Sequence, residues 1–144
     1  MTTTTRISRR RLALLAAAAA AVAAVVLWFV LNPGDRFGLC RFGLTTYDHV
    51  PHPVSDLQVR ADGEVRRVPK THDLRWADVA WVFEANPDVV IIATGWDGRV
   101  TPADAIRTQA GCDVLIHPTA EAVALYNRLR AAGKRVAIHV HATC

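Results

Sequence analysis

The stretch PDVVIIATG, Pro87 to Gly95, decides the fold. Val89, Val90, Ile91 and Ile92 follow one another without a polar break, the pattern of a parallel strand buried on both faces rather than one that turns a side to water. Such a strand needs parallel neighbours and helices above and below it. Downstream, Thr101-Pro102 offers an N-cap followed by proline at the first helical position, and Gly111 closes that helix. A second strand, DVLIH (Asp113–His117), leads through Pro118 to Thr119, which stands where it can cap the helix AEAVALYNRLRAA, ended by Gly133. The strand RVAIHVH (Arg135–His141) completes the alternation. Two βα units leading into a third strand imply right-handed crossovers.

Upstream, Thr71 or Asp73 is placed to cap a helix in which Trp76, Val79, Ala80 and Phe83 recur at helical spacing, and Asn86-Pro87 stops it. Before it, DLQVRADGEVRRV (Asp56–Val68) alternates around Asp62-Gly63, a three-residue hairpin signal, and RFGLTTYD (Arg41–Asp48) reads as a further strand. The expected fold class is α/β: a small parallel or mixed β-sheet covered by helices, preceded by an antiparallel β ribbon.

The first thirty residues are different. Leu12 to Leu31, LALLAAAAAAVAAVVLWFVL, has no charge, polar side chain, Gly or Pro over twenty residues, the length a helix needs to cross a hydrocarbon core. A cleaved secretory signal is the alternative, since an arginine-rich start and Ala-x-Ala triplets fit one, but bulky apolar residues continue up to Asn32-Pro33-Gly34. Arg6, Arg9, Arg10 and Arg11 precede the span and Asp35 and Arg36 follow it, so the positive-inside rule puts the N-terminus in the cytoplasm and residues 32–144 across the membrane. Setting those four aside from the 17 basic residues leaves 13 against 13 acids. The soluble part is then formally neutral, and nothing suggests a nucleic-acid face. The chain divides into a basic cytoplasmic flank (1–11), a transmembrane helix or signal anchor (12–31), a linker (32–41) and an α/β domain (42–144). Cys40, Cys112 and Cys144 are too scattered for a disulfide framework, with one bridge and a spare thiol as the most they allow.

Three features together resemble the Mth-938-like family of small α/β domains, whose members include adipogenesis-associated and mitochondrial complex I assembly proteins. They are the buried strand PDVVIIATG ending in a glycine turn, the Thr119-led helix carrying Ala122 and Tyr126-Asn127, and the Gly133-Lys134-Arg135-Val136 strand start that runs on to His141-Ala142-Thr143-Cys144. The resemblance covers residues 42–144. It implies a compact α/β domain with no cofactor, and a role in assembly or protein interaction rather than a reaction.

Two groups of residues are candidates for chemistry. In an open parallel sheet, ligands lie beyond the carboxyl ends of the strands, where the loop Thr94-Gly95-Trp96-Asp97-Gly98-Arg99 and the turn His117-Pro118-Thr119 both fall. Amides of Gly95 and Gly98, the helix start at Thr119 and the cation Arg99 would hold an anion there, with Trp96 as a wall and His117 as the candidate general base. The plainer reading is that the glycines shape a turn, Asp97 and Arg99 are solvated, and Thr119 caps its helix. The second group is His139 and His141, two apart on a strand and so on one face, with Cys144 or His117 as a third metal ligand. The favoured reading is that they are packed or hydrogen-bonded at a sheet end. Tyr126 is expected in the core with its hydroxyl partnered. No catalytic residue is assigned. The expected partners are the lipid bilayer, through Leu12–Leu31, and a protein.

Overall fold

The computed structural model describes residues 8–144. Arg6, with the rest of residues 1–7 of the basic flank, lies outside the described residues. The chain forms two units that meet at the Leu31–Asn32 boundary.

The first unit is helix α1, Arg9–Leu31. Ser8 starts it, its carbonyl accepting the Leu12 N–H at 3.1 Å and its hydroxyl the Arg11 N–H at 3.4 Å. Its mean hydropathy reaches 2.7, and none of its apolar window is buried by the chain. At 1.5 Å per residue its 23 residues extend about 34 Å, against roughly 30 Å of hydrocarbon. It is long and apolar enough to cross a membrane.

The second unit is built on a five-stranded mixed sheet. Its centre is the strand nearest the C-terminus, β10 (Val136–Val140), every residue of which is buried. One neighbour is β7 (Val89–Ala93), paired in parallel from Val136↔Val89 to Val140↔Ala93, with β9 (Asp113–His117) parallel beyond it. On the other side β4 (Asp56–Val59) pairs antiparallel, Ile138 facing Val59, and β5 (Val65–Val68) forms the edge. The hairpin read around Asp62-Gly63 is therefore part of the main sheet. Its loop has three residues, closed by the Arg60 N–H on the Glu64 carbonyl at 2.9 Å, and Gly63 takes φ +90°.

Double-sided burial of β7 is what its sequence requires. Ile91 and Ala93 join Val136, Ile138 and Val140 in one core, covered by α4 (Thr119–Ala131) and by Phe37 and Tyr47. Val90 and Ile92 join Ala137 in the other, beneath α2 (Trp76–Phe83) and α3 (Asp104–Gln109). In the first core Tyr126 is fully buried and its hydroxyl meets that of Tyr47 at 3.1 Å, as expected of it. Phe37 packs edge-on against both rings. The amide of Asn127 accepts the Phe37 N–H at 2.9 Å and donates to its carbonyl at 2.8 Å, which ties α4 to β1 (Phe37–Arg41).

Local signals misplaced several boundaries. Strand β1 falls inside the segment 32–41 read as a linker, because Phe37 is drawn into the core. RFGLTTYD is two strands: Gly43, at φ +74°, turns β1 into β2 (Leu44–Tyr47), and a second turn at Asp48-His49 leads to β3 (Val50–Pro53). Thr71 and Asp73 do not cap α2. Asp73–Leu74 is a short strand, β6, parallel to β8 (Thr101–Pro102), and the helix is capped from within by the Asp78 carboxylate accepting the Arg75 N–H at 2.8 Å. The buried stripe of α2 is Val79 and Val82, while Trp76 and Phe83 stack on each other at its margin. Because Thr101-Pro102 is used by β8, α3 starts later, with Ala103 as N-cap. Thr119 is the first residue of α4, not its cap, since its hydroxyl is committed elsewhere.

Candidate functional site at the carboxyl edge of the sheet

Where β7, β9 and β10 end, three pieces of chain meet: the loop after Ala93, the start of α4, and the tail His141–Cys144. Thr119 joins them. Its hydroxyl donates to the His141 carbonyl at 2.8 Å and accepts the Gly95 N–H at 3.1 Å, while its own N–H donates to the Gly95 carbonyl at 2.9 Å. Gly95 is the contact point. It has φ +95°, and a Cβ there would lie 1.8 Å from the Cys144 carbonyl oxygen, so the tail packs directly on its Cα.

This packing uses the donors an anion would have needed. The Trp96 N–H goes to the Thr143 carbonyl at 2.8 Å and the Gly98 N–H to the Gly95 carbonyl at 3.4 Å. Thr94 is spent on β9, its N–H and hydroxyl both reaching the His117 carbonyl. Asp97, Gly98 and Arg99 are exposed on the loop. The His117 ring lies apart from them, 3.4 Å from Glu121, in a shallow cavity that Arg128 also lines. The eight residues thus divide into a clasp (Thr94, Gly95, Trp96, Thr119), a solvated loop tip and a surface histidine. The Trp96 indole N–H is shielded and has no partner.

The tail is held from the opposite side by Asp56, a completely buried carboxylate on β4. Its Oδ2 lies 2.7 Å from His141 Nδ1, and its Oδ1 accepts the Ala142 N–H at 3.0 Å. Gly43 donates to the Ala142 carbonyl at 2.8 Å.

His139 and His141 do share a face, yet they do not converge on one ion. His139 points at Gln58, whose amide nitrogen lies 3.2 Å from Nδ1 and 2.6 Å from the Asp78 carbonyl. Arg66 grips the Gln58 oxygen through two nitrogens and stacks on Trp81, which fixes the amide's orientation. Nδ1 of His139 therefore accepts, and the proton sits on Nε2. That nitrogen is buried without a partner, beside a cavity of about 340 Å³ lined also by Arg66, Thr71 and Asp78. Burial, then the neighbouring His141, push the His139 pKa down to about 4.

The residue that joins His141 and Cys144 instead is His72, from the loop before β6. The ligand atoms of His72, His141 and Cys144 all lie within 4.8 Å of one another. Cys144 Sγ is 3.3 Å from His72 Nε2, and the two imidazole centroids are 5.2 Å apart. His72 gave no sequence signal beyond its residue type. All three thiols are free, and burial raises the pKa of Cys40 and Cys112.

No family model and no curated protein matches this chain. Solved structures do. MT938 is 31% identical, over 76% of this chain and 98% of its own, with a TM-score of 0.64. A Mth938-like domain from Bordetella pertussis is also similar, at 16% identity over 97% and 91% of the two chains, with a TM-score of 0.50. This chain belongs to the Mth938-like family. The Mth938-like fold also matches an outer membrane protein from Bartonella henselae, at 19% identity over 78% and 99%, with a TM-score of 0.66.

Proposed function

We propose that the chain is a single-pass, membrane-anchored binding or assembly module. Leu12–Leu31 sits in the bilayer, the arginine-rich flank is cytoplasmic, and residues 32–144 form a Mth938-like domain on the other side that engages a protein partner. The observation that carries this reading is α1 itself. A helix of 23 residues, apolar from Leu12 to Leu31 and with none of its apolar window covered by its own chain, needs another apolar environment, and a bilayer fits its length. Three arginines in its first turn, Arg9 to Arg11, complement a cytoplasmic surface. That a protein of similar fold is named an outer membrane protein is consistent with the domain working at an envelope. A module rather than a ligand-processing site is supported by the tail, which closes the strand ends where an anion would bind.

Alkaline washing of membranes followed by cross-linking tests the reading. The full-length chain is expected to stay with the membrane and to cross-link to a protein, and replacing residues 12–31 with a polar sequence is expected to abolish both. Release of the unaltered chain by the wash contradicts the anchor. Thermal stabilisation by inorganic phosphate, lost in Arg99→Ala, contradicts the module in favour of an anion site.

A further inference from the structure

We propose that His72, His141 and Cys144 form a binding site for one zinc ion, with the fourth coordination position left to water or a partner's donor. The geometry is close to what zinc requires. Bonds of roughly 2.0–2.1 Å to nitrogen and 2.3 Å to sulfur place tetrahedral ligands about 3.3–3.7 Å from one another. Cys144 Sγ and His72 Nε2 are already 3.3 Å apart, and the widest separation in the group is within 4.8 Å. A contraction of about 1 Å completes the set, and His72, an exposed side chain on a loop, is free to supply it.

The other two ligands are held in advance. Asp56 takes Nδ1 of His141 at 2.7 Å, which leaves Nε2, now 3.3 Å from the Thr143 hydroxyl, to meet the ion in that hydroxyl's place, the carboxylate–histidine–metal relay that fixes tautomer and ring orientation. Cys144 is positioned by its backbone, which lies on Gly95 and follows the Trp96–Thr143 hydrogen bond. The His72 backbone is fixed by its carbonyl, which accepts the Thr101 N–H at 2.7 Å. A cavity of about 240 Å³ lies between the three ligands, with Lys70 and Thr143 on its rim. The Lys70 ammonium, 2.8 Å from Thr143 Oγ1, opposes a cation, but it sits on a long exposed stem that can swing into solvent. Two imidazoles and a thiolate select a borderline-soft ion over magnesium or calcium, which prefer oxygen.

The test uses the full-length chain in detergent, stripped with a chelator, then titrated with zinc against a chromogenic competitor and with cobalt(II) as a spectroscopic stand-in. The expected result is one equivalent bound, with tetrahedral cobalt bands and a thiolate-to-metal charge-transfer band. His72→Ala and Cys144→Ser are each expected to weaken zinc about 100-fold or more, beyond the 10- to 100-fold typical of outer-sphere changes. Neither residue belongs to the core, so the metal-free melting temperature should stay where it was. His117→Ala is expected to bind as the unaltered chain does. Unchanged zinc affinity in either of the first two variants, a missing cobalt–thiolate band, or tight copper(I) binding without zinc binding overturns the assignment.

Discussion

His139 and His141 stand two residues apart on one face, and both are only 1% exposed, yet they occupy opposite environments. His141 lies 2.7 Å from a buried carboxylate and passes its carbonyl to Thr119. His139 rests against a neutral amide, and its protonated nitrogen has no partner. The difference lies in what β4 presents to each. Gln58 is paired with His139 in the register, and Asp56, two residues earlier on the antiparallel strand, lies opposite the chain where it leaves β10. Side-chain alternation sets the face of a residue; the neighbouring strand sets its chemistry.

Breaking the His141 side should cost most. Asp56→Ala leaves the His141 ring and the Ala142 N–H buried without an acceptor, and is expected to destabilise the metal-free domain by about 3–5 kcal/mol in chemical unfolding. A loss under about 1 kcal/mol would mean that the tail is not fastened there.

The His139 side should appear as acid sensitivity. Its folded pKa of about 4 lies below the ordinary 6.5, so the unfolded chain takes up this proton first. The contribution is fully present above pH 6.5 and disappears as the pH falls towards 4, on the order of 3 kcal/mol in all. In chelator, unfolding curves at pH 7 and 4.5 should show His139→Leu losing less stability than the parent protein on acidification. Equal losses would show that His139 is not the buried neutral group described.

Smaller effects test the junction and its margin. Thr119→Val keeps the shape but strands the Gly95 N–H and the His141 carbonyl, for about 1–3 kcal/mol, while Thr119→Ser should be near neutral. Arg99→Ala lies on an exposed tip and should stay within about 0.5 kcal/mol by thermal melting. A larger change there would show the loop tip to be part of the clasp.

The sheet was legible because β7 declares itself locally: four β-branched residues in a row must be covered on both sides, and the two cores divide them as Ile91 with Ala93 and Val90 with Ile92. Helix starts were less legible, because Thr119 carries the residue type of a cap while its hydroxyl serves Gly95 and His141, partners defined only by the tertiary fold. The loop 94–99 follows the end of β7 at Ala93, but no local pattern shows that the tail would take its amides. His72 was invisible for the same reason. It lies far along the chain from His141, and the strand that follows it, β6, is two residues long and lacks any strong strand signal.

A second contrast governs function. Within residues 32–144 two apolar cores are buried by the chain itself, whereas the apolar stretch Leu12–Leu31 of α1 is exposed throughout. The most direct test of the membrane-module account is to fuse the C-terminus, in separate chains, to alkaline phosphatase and to a fluorescent protein that folds only in the cytoplasm. Phosphatase activity in the membrane fraction and no fluorescence are expected. Membrane fluorescence without phosphatase activity would contradict the topology and place the Mth938-like domain on the cytoplasmic side.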